Sequence, residues 1–221
     1  MKAFLIHMVA LLIGIGAACD AGVLPKALIL GDSIYNEPSR SVAAELKGRV
    51  GVVWKHPGSS GEALSRIDEL LGADKWEVIH FNFGLADLHY KDPRTNSIRA
   101  MSREAGGVRV TPPDQYEKNL QQLVERLKST GAKLVWASTT PITVSDHLYD
   151  AGSEIEYNAI AARVMQRQGV SINDMHAFAK EIMLKDKAPS PLFSKKILLH
   201  PPIIESILKA LELPAVPRGN G

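Results

Sequence analysis

Short apolar runs alternate with segments of helical period along most of the 221-residue chain, and this alternation limits the fold more than any other feature. The run from Lys26 to Leu30 and the stretches Val50–Trp54, Trp76–Phe81, Lys133–Ser138 and Val170–Asn173 read as strands. Between and after them, Ser41–Lys47, Glu62–Leu71, a segment opened by Pro112-Pro113-Asp114 and stopped by Gly131, Ile155–Gln168, His176–Leu184 and Pro202–Leu211 read as helices. In the clearest of these, Tyr116, Leu120, Leu123, Val124 and Leu127 form one apolar face, the mark of a helix laid on a core. Strands separated by helices predict an α/β fold: a parallel sheet joined by right-handed crossovers and covered on both faces, a three-layer α/β/α arrangement. Ligands of such sheets bind beyond the carboxyl ends of the strands. The long polar segment from Leu88 to Asp114 interrupts the pattern, and its Lys91, Arg94, Arg99, Arg103 and Arg109 read either as contacts for an anionic or sugar-like ligand or as a solvated surface.

The chain is long enough, and with 45% hydrophobic residues apolar enough, for one substantial core, so residues 24–213 are expected to form one domain and residues 214–221 a flexible tail. A net charge of +2, spread rather than clustered, gives no reason to expect a nucleic-acid partner. Residues 1–21 carry a positive start, an apolar middle and small residues before the single cysteine, Cys19, the pattern of a secretory signal. The apolar part falls short of a membrane span, so export to the periplasm or the outside is expected. Gly16-Ala-Ala-Cys19 also leaves open a lipid anchor on Cys19, beside ordinary cleavage near Ala18 or Ala21. With one cysteine no disulfide can form within the chain.

The chemistry is expected where the first strand ends. Gly31 permits a sharp turn, Asp32 can bond back to nearby amides, and Ser33 is then presented at the sheet edge as a nucleophile. A serine needs a base to take its proton. Of the seven histidines, His7 lies in the leader, His80 inside a strand, and His56, His89, His147 and His176 read as surface or packing residues. No Gly-x-x-x-x-Gly-Lys-Ser/Thr loop, Gly-x-Gly-x-x-Gly turn or His-Glu-x-x-His pair occurs, so neither a nucleotide cofactor nor a metal is expected.

Gly31-Asp32-Ser33, Gly58-Ser-Ser-Gly61-Glu62, the stretch Asn82-Phe-Gly84-Leu-Ala86-Asp87 and His200 near the end resemble, in this order, the sequence blocks of the SGNH/GDSL hydrolases over about Lys26 to Leu211. The resemblance implies a flavodoxin-like five-stranded parallel sheet of order 2-1-3-4-5. It implies Ser33 as nucleophile, His200 as general base, and the amides of Ser33 and Gly61 as the oxyanion hole, with Asn82 as a third donor and Asp32 and Asp87 in support. The sequence departs from the pattern twice. Ala86 stands where the oxyanion asparagine would be, and Ile197 or Leu198 where an aspartate would orient the histidine. A main-chain oxygen between Ser194 and Leu198, or an unconventional carboxylate such as Asp186 or, as an alternative, Asp174, is then expected to hold the ring. The implied activity is cleavage of small acyl esters, acetyl above all, of carbohydrate-type substrates through an acyl-enzyme. The alternative is a catalytically impaired relative that binds a carbohydrate or other ligand.

Overall fold

The computed structural model describes residues 23–192 and 196–216. The expected leader with Cys19, the start of the Ser194–Leu198 stretch and most of the tail lie outside the described residues. In chain order the elements are β1 (Lys26–Leu30), a 3-10 turn (Ser33–Tyr35), α1 (Asn36–Glu45), β2 (Gly51–Lys55), α2 (Ser60–Ser65), α3 (Ile67–Leu71), β3 (Val78–Phe81), β4 (Tyr90–Lys91) and β5 (Val108–Arg109). They continue as α4 (Pro113–Lys128), β6 (Lys133–Ala137), α5 (Ser153–Gln168), β7 (Ser171–Asn173), α6 (Met175–Asp186) and α7 (His200–Leu211).

Five strands pair in parallel in the order β2-β1-β3-β6-β7, which is the expected 2-1-3-4-5 arrangement once the small β4–β5 pair is set aside. Strand β1 sits second from the edge and is buried from Ala27 to Leu30, because parallel strands covered on both faces bury every side chain. One core lies under α2, α3, α4 and α5, and includes Leu28, Leu30, Phe81, Leu120 and Trp136. The other lies under α1, α6 and α7, and includes Ala27, Ile29, Val42, Ile203 and Ile207. The expected apolar face of α4 is buried throughout.

Three local features differ from the sequence reading. Helix α1 begins at Asn36, five residues before the expected Ser41, because the 3-10 turn after Ser33 runs directly into it. The expected helix from Glu62 to Leu71 is broken at Arg66 into α2 and α3. The Leu88–Asp114 segment holds the antiparallel pair β4–β5. Its arginines are engaged within the protein: Arg94 on Asp92, Arg99 on His89, and both Arg103 and Arg109 on Asp150. Arg109 also lies 4.4 Å from the Tyr90 ring centre, so these residues fasten the excursion to the domain.

Candidate active site

Strand β1 ends in a turn that only glycine fits. A Cβ on Gly31 would sit 2.5 Å from the Tyr35 ring, and the Gly31 carbonyl accepts from Trp54 Nε1 at 3.0 Å. The chain then turns at Asp32, whose Oδ1 caps the 3-10 turn by accepting from the Ile34 amide at 3.2 Å. Ser33 follows, exposed at the carboxyl end of the sheet with its hydroxyl in no hydrogen bond among the described residues. Asp32 is 6% exposed and its Oδ2 has no partner. Burial lifts its pKa from 3.8 to about 7, the Ile34 amide pulls it down, and the charge of Asp87 raises it further.

The second block stands at the start of α2. Ser59 accepts from the Glu62 amide at 3.3 Å while Glu62 accepts from the Ser59 amide at 2.7 Å, a reciprocal cap that fixes the helix start. Gly58 adopts φ +76°, and a Cβ there would meet Glu62 Oε2 at 2.5 Å, so the cap itself requires glycine. Behind the cap, fully buried Asp87 accepts from the Ser60 amide at 2.9 and 3.0 Å and from Ser60 Oγ at 2.6 Å, and Asn119 Nδ2 donates to the same hydroxyl. Burial raises the Asp87 pKa to about 6, against the pull of bonds from Ser60 and Thr111. Asp87 is thus the residue that holds the Gly61 turn to the loop after β3. Gly61 also lines a hollow with Ser59, Lys91, Thr111 and Asn119.

Asp87→Ala leaves the buried Ser60 amide and hydroxyl without their acceptor, which costs about 3 kcal/mol. In a chain of this size that is a melting point lower by roughly 6 to 12 °C. Differential scanning calorimetry checks it, and amide exchange confined to the start of α2 would rise with it. An unchanged melting point would show that Asp87 holds nothing.

Asn82 is nearly fully buried, and its Nδ2 donates to the Ala137 carbonyl at 2.8 Å and to Thr139 Oγ1 at 3.2 Å. Both of its N–H donors are therefore engaged in tying the end of β3 to the end of β6, which leaves neither for an oxyanion.

His200 opens α7 and lines a groove of about 730 Å³ together with Ser33, Ile34, Ser41, Leu192 and Leu199. Its Nε2 lies 3.0 Å from Oε1 of Glu45, the last residue of α1. The holder of the ring is thus a carboxylate from α1. Asp186 makes no such contact, and Asp174 instead caps α6, accepting from the Ala177 amide and from Ser138 Oγ. The ring nitrogen Nε2 is thus taken up by Glu45, and Ser33 Oγ makes no hydrogen bond to the ring or to any other described residue.

His80, His89 and His176 are engaged elsewhere. His80 is wholly buried, and burial drives its pKa down to about 3. His89 Nε2 meets Tyr149 Oη at 2.6 Å and an Arg99 N–H at 3.3 Å; burial, reinforced by the Arg99 charge, lowers its pKa to about 4. Since Arg99 can only donate, Nε2 is an acceptor and the neutral ring carries its proton on Nδ1. His176 faces Glu154 at 3.2 Å. Among the described residues no group of three or more His, Cys, Asp or Glu side chains is placed to hold a metal ion, and no helix is long and apolar enough to cross a membrane.

No protein-family model and no curated protein matches the sequence. Solved structures do. An acetylxylan esterase from Geobacillus stearothermophilus, Axe2, superposes with a TM-score of 0.63 at 16% identity, over 89% of this chain and 97% of that one. LAE5, an alpha/beta hydrolase enzyme from the metagenome of Lake Arreo, gives 0.61 at 16% identity over 87% and 97%. A GDSL-like lipase from Bacteroides thetaiotaomicron gives 0.57 at 14% identity over 85% and 87%. With the strand order β2-β1-β3-β6-β7 and the serine turn after β1, the chain carries the fold of the SGNH/GDSL-type hydrolases.

Proposed function

We propose that the protein is an exported serine ester hydrolase that removes small acyl groups, acetyl above all, from carbohydrate-type substrates. The observation that carries this reading is Ser33 itself: exposed, its hydroxyl unbonded among the described residues, and delivered to the carboxyl edge of the sheet by a turn that only glycine fits. The structural neighbours support the substrate class, since one of them, Axe2, is an acetylxylan esterase. Export rests on the leader-like residues 1–21, with a lipid anchor on Cys19 as a variant of the same address.

In the proposed reaction Ser33 Oγ attacks the ester carbonyl while His200 takes the hydroxyl proton. The amides of Ser33 and Gly61 stabilise the charge on the carbonyl oxygen. The ester C–O bond breaks, the alcohol leaves with the proton from His200, and water releases the acid from the acyl-serine in the same way. Asp32 and Asp87 hold the two turns on which those amides lie. A panel of esters tests the substrate class: acetylated xylo-oligosaccharides and 4-nitrophenyl acetate are expected to turn over at least about tenfold faster than octanoyl or longer esters, a difference of about 1.4 kcal/mol in barrier. Faster turnover of the long chains would contradict it.

The His200–Glu45 pair and the engaged amide of Asn82 favour a second reading, in which the cleft binds an acylated carbohydrate without cleaving it. Calorimetric binding of acetylated xylo-oligosaccharide with no acid released would establish that reading.

A further inference from the structure

We infer that Glu45 is a brake on the Ser33 site, a carboxylate that holds the His200 ring away from the serine and so sets the rate from outside the reacting centre. This rests on the hydrolase reading above. Three observations point to it. Nε2 of His200 is 3.0 Å from Glu45 Oε1, and the ring is largely enclosed, with 17% of the side chain exposed. Glu45 shares one face of α1 with Ser41 and Glu37, at the i, i+4 spacing that sets side chains above one another, so the route from Glu45 back to Ser33 runs along a single face. Glu37 and Ser41 of that face line the groove of about 730 Å³ that Ser33 and His200 also line, while Glu45 stands just outside its lining.

His200 is also placed to move. It is the first residue of α7, preceded by Leu199 with no side-chain cap and followed by Pro201 and Pro202, which donate no amide hydrogen bond back. At this helix end no intrahelical bond holds the His200 side chain, and rotation about its own torsions takes the ring off Glu45 toward the groove. The serine hydroxyl at the other end has no competing partner among the described residues. Glu45 is therefore a positioning residue of unusual sign, whose removal accelerates the reaction.

The test uses the full chain and 4-nitrophenyl acetate, with Glu45→Gln, Glu45→Asp and each of these combined with Ser33→Ala. Glu45→Gln is expected to raise kcat about 10²-fold, the low side of what a positioned general base contributes, with KM little changed. Glu45→Asp keeps the charge on a shorter arm and is expected to stay near wild type. The gain must vanish when Ser33→Ala is added. In parallel, the ring ¹⁵N shifts of His200 are expected to change in Glu45→Gln and not in Glu45→Asp, which a merely structural role at an exposed helix end would not produce. Shifts that change with a rate that stays the same or falls overturn the brake, and so do shifts that do not change. Should wild type and Ser33→Ala turn over equally, it is the hydrolase reading that fails, and the brake falls with it for want of a reaction to restrain.

Discussion

Ser33→Ala is expected to lower turnover of acetyl esters by about 10² to 10⁴-fold while leaving the melting point within about 1 °C. The drop is large because without the hydroxyl no acyl-enzyme forms, and what remains is the catalysis supplied by the oxyanion amides and by binding. It is smaller than the roughly 10⁶-fold loss of a nucleophile in a fully assembled triad, because the wild-type site begins with its base resting on Glu45. A base out of position forfeits on the order of 10² to 10⁴. The melting point stays because Ser33 is exposed and its hydroxyl bonds to nothing among the described residues. Initial rates on 4-nitrophenyl acetate and a thermal melt of both proteins suffice. His200→Ala is expected to fall with Ser33→Ala, whereas equal rates in all three proteins would leave only the binding reading.

The second large effect concerns stability. Asp32 and Asp87 are buried carboxyls whose pKa values rise to about 7 and about 6 on folding, in both cases chiefly through burial. A group whose folded pKa is raised binds its proton more tightly in the folded state. Its contribution is fully present below the unfolded value of 3.8, declines as the pH climbs, and is gone above the folded value. The protein is therefore expected to lose stability between about pH 4 and pH 7, on the order of 4 kcal/mol from Asp32, at ~1.4 kcal/mol for each tenfold change in proton affinity. Asp32→Asn cannot titrate, so its stability relative to wild type is expected to rise by that amount across the same window. Denaturant melts at half-unit pH steps measure it, and parallel profiles for the two proteins would show that Asp32 does not titrate in the folded state as its burial requires.

What the sequence made legible follows from which interactions are local. The five strands and the buried face of α4 came through because period and spacing are local properties, and Tyr116, Leu120, Leu123, Val124 and Leu127 carry them over a whole helix, whereas the strand order came only with the resemblance of the sequence blocks. Ser33 came through because Gly31-Asp32-Ser33 is a turn built from its own residues. The β4–β5 pair did not, since two-residue strands are too short to show an alternation. The early start of α1 was hidden by Glu37, Pro38 and Arg40, which give its first turn no apolar rhythm. Glu45 was hidden more deeply. It meets His200 only because α1 and α7 pack side by side on one face of the sheet, and no spacing along the chain announces that pairing. Asn82 is similar: the strand-end position was visible, but the Ala137 carbonyl and Thr139 hydroxyl that occupy its amide belong to the neighbouring strand.

The central claim, that Ser33 is a nucleophile in this fold, is tested most directly by incubating the purified protein with a fluorophosphonate and mapping the adduct by mass spectrometry of its peptides. The account predicts a single adduct on the peptide containing Gly31-Asp32-Ser33, absent in Ser33→Ala and formed faster in Glu45→Gln. No adduct on that peptide, under conditions where an acetyl esterase of the same fold is fully labelled, would contradict it.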